Sequence, residues 1–335
     1  MKKAIWTIVI ILVIVVAAVF GSSIFMLHYS LDPDPCRADT AVCYQRLFNT
    51  YPETRPWVDS LRAANALRDT FVIMPTGERH HALCVNRGSQ KTALIIHGWR
   101  DCSIDFLFLA RLYEHELGYN IVMPDLHAHG LSEGDMIQMG WFDRKDALHW
   151  LTVFQTDTMV VHGVSMGGAT TMMTSAEPLS PGIRDIHFID DCGYTSVWDE
   201  FSGEIQNQFG LPPFPLMYTT NLLCKLWLDW SFNEASALDA VRRSPHPHAV
   251  HSRQRRHLRP HRDGPPPLCR QTLEENPLDC PRRQTRRVLP DAQRRIPPPP
   301  PRLPKQQRAP NEIIFSPNGI NFSPNGIKFS LAEKK

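Results

Sequence analysis

The sequence predicts an α/β fold: a mostly parallel sheet with helices on both faces, preceded by a membrane helix and followed by a stretch unable to build a core. Three observations predict it. Short apolar runs alternate with stretches of helical length between residues 67 and 192. An uncharged apolar run fills residues 4–27. From Arg242 to Pro310 there are 17 Lys and Arg against 5 Asp and Glu, 16 of the 29 prolines, and no Phe, Trp or Tyr.

The amino-terminal run follows Lys2 and Lys3 and is long enough to cross a hydrocarbon core of roughly 30 Å as a helix. Cleavable signals have shorter apolar stretches, about 7–15 residues, before a small-residue site. Here Ile24-Phe25-Met26-Leu27 carries the run past Gly21-Ser22-Ser23, which favours an uncleaved signal anchor over residues 1–32. Lysines before it, with Asp32 and Asp34 after it, place the amino terminus in the cytoplasm and the domain outside. Cys36 and Cys43 could pair in an oxidising compartment or remain free thiols, and the eight cysteines show no metal-site spacing.

Residues 33–66 read as a polar, partly helical connector, and the domain follows over 67–244. Phe71–Met74 and His80–Val85 flank Pro75-Thr76-Gly77-Glu78, a hairpin signal. Thr92–Ile96, Asn120–Met123, Thr158–Val161 and Ile186–Ile189 are continuous apolar runs, as strands buried on both faces require. Helical stretches fall at about 104–117, 141–154 and 166–177, which makes βαβ units. The aromatic- and Leu-rich segment 193–232 reads as a cap over the sheet. Residues 245–335 are expected to be disordered, and the repeated Phe-Ser-Pro-Asn-Gly-Ile near the end to be low in complexity.

Gly163-Val164-Ser165-Met166-Gly167-Gly168, directly after one strand and opening a helix, carries the chemistry. Gly-x-Ser-x-Gly in that setting is a nucleophile elbow: the glycines permit a strained turn that lifts Ser165 to the carboxyl end of the sheet. The helix beginning at Met166 then turns its free amides towards developing negative charge. Two close histidines, His127 and His129, lack a third ligand at metal spacing, so neither metal nor cofactor is expected.

With these features, and with Gly118-Tyr119-Asn120, Asp191-Cys192-Gly193-Tyr194-Thr195-Ser196 and Leu211-Pro212-Pro213, residues 57–244 resemble the α/β-hydrolase superfamily. The likeness is to its membrane-anchored bacterial branch, grouped with serine aminopeptidase-like and acyl-ester hydrolases. The resemblance implies that the Trp99 amide, after His97-Gly98, joins that of Met166 in an oxyanion hole, with His97 bracing the loop. It also implies that the Asp125 loop, Asp-x-x-x-x-Gly-x-Ser, supports the site, and that a Ser–Asp–His triad acts on a small acyl substrate.

The pattern breaks after Ser244, where the family's acid motif and histidine loop should follow. A shift of one nucleotide restores both in order: residues 246–261 can then encode a strand with the acid at the Arg256 codon, and 280–289 a histidine loop with His over Thr285. A frameshift near Ser244 therefore accounts for the missing C-terminal strands and helix and for the arginine-rich tail. As written, the chain lacks its triad Asp and His, with Asp190 or Asp191 as substitute acids. The alternatives to an impaired hydrolase are an inactive anchored binding protein and nucleic-acid binding through the basic tail.

Overall fold

The computed structural model describes residues 2–246, 248–251, 312–316 and 319–326. Its main sheet contains β1 (Leu67–Ile73), β2 (Arg79–Val85), β3 (Lys91–Ile96), β4 (Asn120–Pro124), β5 (Thr158–Val164), β6 (Asp185–Asp191) and β7 (His248–His251). They lie in the order β1-β2-β4-β3-β5-β6-β7. Only β2 runs against its neighbours, and the five strands from β4 to β7 are parallel. β1 and β2 form the expected hairpin, with Ile73 opposite Arg79 across the turn. A separate antiparallel pair, β8 (Glu312–Ser316) and β9 (Gly319–Gly326), covers part of the repeat expected to be low in complexity.

The helices are α1 (Lys2–Leu31), α2 (Thr40–Thr50), α3 (Arg55–Ala63), α4 (Leu107–Arg111), α5 (Asp143–Val153), α6 (Met166–Thr174), α7 (Val197–Phe209), α8 (Leu216–Leu228) and α9 (Ala237–Arg243). The stretch expected to be one helix over 104–117 is broken into a 3₁₀ turn at Ser103–Phe106, α4 and a π turn at Leu112–Glu116.

Strand side chains alternate between two cores, one on each face of the sheet. On β3, Leu94 and Ile96 join the core containing α5, α6 and the cap, whereas Ala93 and Ile95 join the core containing α2 and α3. Residues 33–66 are therefore more than a connector: Leu47, Phe48, Trp57 and Val58 are buried and cover one sheet face. The sequence hides this because each helix contributes only one short apolar stripe between polar residues.

Two further differences concern the ends of the domain. The apolar run of α1 continues into the domain core, where Leu27 and Leu31 are fully buried. At the other end the sheet extends beyond Ser244 through β7, which pairs with β6 from Phe188↔His248 to Asp191↔His251. An exposed strand edge offers unpaired N–H and C=O groups to any extended segment, whatever its side chains. His248 also bonds the Ser175 hydroxyl at 2.8 Å. Arg256 and Thr285, where a shifted frame would put the acid and the histidine, lie outside the described residues, as does the basic, proline-rich stretch from 252 to 311.

Candidate active site at the nucleophile elbow

Ser165 joins β5 to α6 at φ 56°, ψ −119°. A non-glycine residue holds such a conformation only where its surroundings enforce it. The enforcement comes from both sides. The Ser165 amide donates to the Asp191 carbonyl at 2.8 Å. A Cβ on Gly163 would overlap the Gly167 carbonyl, and one on Gly167 would overlap the Ile96 carbonyl. These glycines press the start of α6 against the ends of β3 and β5, and Ser165 is left exposed at the carboxyl end of the sheet.

The loop after β3 runs alongside. A Cβ built on Gly98 would sit 3.7 Å from the Ser165 Cβ. His97 is buried and holds this loop with both ring nitrogens: Nε2 accepts from the Leu126 amide at 3.0 Å, so Nδ1–H donates to the Gly98 carbonyl at 2.7 Å. His129 is committed in the same way, accepting from the Arg100 amide at 3.1 Å and donating to the His127 carbonyl at 2.8 Å. Burial lowers the pKa of both rings, so both are neutral.

Asp125 is buried beneath these loops. Its carboxylate accepts from the amides of Ser103 (2.7 Å) and Leu131 (2.9 Å) and from His81 Nδ1 (2.7 Å). A Cβ on Gly130 would overlap that carboxylate, and the Ser132 hydroxyl donates to the Asp125 carbonyl at 2.6 Å. The spacing Asp125, Gly130, Ser132 is thus one hydrogen-bonded loop. His81 was not singled out in the sequence, because its role depends on a strand register that pattern alone does not fix.

Among the described residues, Ser165 Oγ has no hydrogen-bond partner, and neither Asp190 nor Asp191 has an imidazole partner. Asp190 Oδ1 accepts from the Gly193 amide at 2.7 Å, and burial pushes its pKa up to about 6. The Asp191 carboxylate accepts from the Cys192 thiol at 3.0 Å. Ligand-type atoms converge within 4.8 Å at Cys43–Cys102–Asp105 and at Glu78–His80–His127, and neither group includes Ser165. At the first, Arg46 already pairs with Asp105. A cavity of about 260 Å³ also lies away from the elbow, lined by Arg37, Tyr44, Arg62, Asp69, His81 and Asp125 among others.

The structure brings a second element to the site that the sequence does not reveal. Trp99 Nε1–H donates to the Ser30 carbonyl at 3.0 Å, and Arg100 Nη2 donates to the carbonyls of Tyr29 and Asp32, each at 3.1 Å. The last carbonyls of α1, unsatisfied within the helix, are thus capped by the loop that faces Ser165.

A parallel sheet with one reversed strand, and a strained serine between a strand and the helix it feeds, define an α/β-hydrolase fold. No family model matches the chain. It is 24% identical over 155 residues to the uncharacterized protein YqkD of Bacillus subtilis (strain 168), covering 45% of this chain and 50% of the relative. The chain thus spans about half the length of the curated relative it matches. Among solved structures it is similar to the Pyrococcus furiosus esterase Pf2001 (17% identity, 55% of this chain and 68% of that one, TM-score 0.43). It is also similar to an α/β hydrolase from Vibrio vulnificus (14%, 59% and 67%, 0.43) and to the thioesterase domain of the curacin biosynthetic pathway (14%, 55% and 82%, 0.36).

Proposed function

We propose that this chain derives from a membrane-anchored serine hydrolase that cleaves an ester, thioester or small amide through an acyl-enzyme on Ser165. The strained elbow at φ 56°, ψ −119° carries the reading, because such strain is held where a side chain must be presented for reaction. Attack by Ser165 Oγ would place negative charge on the substrate carbonyl oxygen. The Met166 amide opens α6, and the Trp99 amide follows Gly98, where an added Cβ would lie 3.7 Å from the Ser165 Cβ; these two are the oxyanion donors of this reading. His97, Gly98, Gly163, Gly167 and Asp125 position them.

Reaction needs a base to take the Ser165 proton and return it to the leaving group. His97 and His129 have both nitrogens engaged in holding loops, so neither serves. This favours a second reading, that the polypeptide as written is a catalytically silent anchored protein and that a shift of frame near Ser244 separates it from its acid and base. Fluorophosphonate labelling of the full chain and of a frame-restored version tests both. Labelling of the restored form alone, abolished by Ser165→Ala, is the expected result. Equal labelling of the two would show that the written tail supplies a base; labelling of neither would remove the hydrolase reading. Nucleic-acid binding through the basic tail would appear as salt-sensitive binding lost on truncation at Ser244.

α1 is long and apolar enough to cross a membrane. Its last turns lie in the core, and the loop beside Ser165 caps its end, which supports an anchor kept in place; Lys2 and Lys3 before the span are the ground for reading the domain as outside.

A further inference from the structure

We propose that the cap helix α8 is itself seated in the bilayer surface beside α1, so that the site takes acyl substrates from the membrane rather than from water. The proposal rests on α1 being a retained span and, for its substrate clause, on Ser165 being the nucleophile. The ridge formed by Phe214, Tyr218, Leu222 and Leu226 repeats every four residues, with Trp227 beside it, and all five side chains are more than half exposed. The opposite face of α8 buries Met217, Thr220, Leu223 and Cys224 in the core. A helix apolar on both faces belongs inside a protein or against lipid. Between Leu211 and Leu228 the one charged residue is Lys225, and it pairs with Glu234 at 3.0 Å.

The exposed ridge is continuous with the span. Residues 4–22 of α1 are apolar and exposed along almost their whole length and extend about 28 Å, close to one hydrocarbon thickness. Directly after them the Ser23 hydroxyl meets the Thr219 hydroxyl of α8, and α1 packs along that helix. α8 therefore lies level with the point where α1 leaves the hydrocarbon. Tyr218 and Trp227 suit that depth, where amphipathic rings concentrate. A narrow cleft of about 30 Å³ between α1 and the cap, lined by Met26, Tyr29, Phe209, Met217 and Phe232, opens beside this surface and would have to widen to admit an apolar chain. Ser30 lines the same cleft and accepts the Trp99 bond, so the cleft reaches the loop beside Ser165.

The test places an environment-sensitive fluorescent amino acid at Leu222, Leu226 or, as a water-facing control, Val153 in the full chain held in phosphatidylcholine–phosphatidylglycerol nanodiscs. The proposal expects blue-shifted emission at 222 and 226, with quenching by nitroxide-labelled lipid about twofold or more above the control and protection from iodide. Iodide quenching equal to that at Val153, without lipid quenching, would overturn it. A blue shift insensitive to labelled lipid and lost at one chain per disc would also overturn it, assigning the ridge to a second copy. None of these readouts needs activity. If seating is confirmed, Leu222→Glu with Leu226→Glu in the frame-restored chain should slow hydrolysis of a bilayer-dissolved long-chain ester about tenfold while sparing a water-soluble short-chain one. Equal loss on both esters would overturn the membrane supply of substrate, whereas no turnover of either ester without the substitutions would fault the Ser165 reading instead.

Discussion

At the scale of single residues, the elbow is built by exclusion. Gly163→Ala would push a methyl into the Gly167 carbonyl, a backbone group that cannot rotate aside. Overpacking of this kind costs about 1–3 kcal/mol, so thermal melts should show a clear fall in Tm together with loss of any fluorophosphonate reactivity. A second residue-scale prediction concerns His81. Burial opposes its charge, but hydrogen bonds to Asp125 and Asp69 outweigh burial and lift its pKa to about 9, against an ordinary value of 6.5. A base whose pKa is raised on folding contributes stability that is full below 6.5 and lost as pH climbs towards 9. Tm should therefore decline across that window, and His81→Asn should flatten the decline; an unchanged slope in the variant would show that the ring is neutral. The elbow serine was legible because its signal is local. His81 and Asp125 were half legible: the loop spacing marked Asp125, but its partner comes from another strand.

At the scale of elements, four strands of the main sheet were readable from their continuous apolar runs and two from the hairpin signal, six of its seven in all. The exception is β7, which has no apolar run and is held by the open edge of β6 and by His248 on Ser175. Helix α1 shows the opposite mismatch. Its composition reads as one uniform span, yet Leu27 and Leu31 are core residues of the domain. Leu31→Ala should cost about 2–5 kcal/mol, the range for large-to-small changes at fully buried positions, measurable as a lower denaturation midpoint of the detergent-solubilised chain. The matching substitution at exposed Leu12 should leave the midpoint unchanged.

At the scale of the whole molecule, the question is which compartment the domain occupies. The sequence left Cys36 and Cys43 either paired or as free thiols; in the structure Cys43 is buried with its sulfur within 4.8 Å of the Cys102 sulfur, next to the loop that faces Ser165. In an oxidising compartment Cys43 and Cys102 should therefore form the disulfide, tying α2 to that loop. Burial pushes the Cys84 and Cys224 thiols up to about 12, so these two should remain reduced. Peptide mapping without reduction, on chain isolated from membranes, would reveal the 43–102 cross-link; alkylation of both as free thiols would place the domain in a reducing compartment.

The sequence by itself determined whatever depends on neighbours along the chain. It carried the period of the strands, the glycines around Ser165, the apolar length of α1 and the compositional break after Ser244, each of which is a local constraint on backbone freedom or burial. Only the tertiary structure decided what depends on register and packing. It joined the end of α1 to the loop carrying Trp99, turned residues 33–66 into a layer of the core, engaged both nitrogens of His97 and His129, and set α8 against α1. Those contacts link residues about 30 to nearly 200 positions apart, and a contact at such separation depends on how the whole sheet closes, which no window of sequence contains.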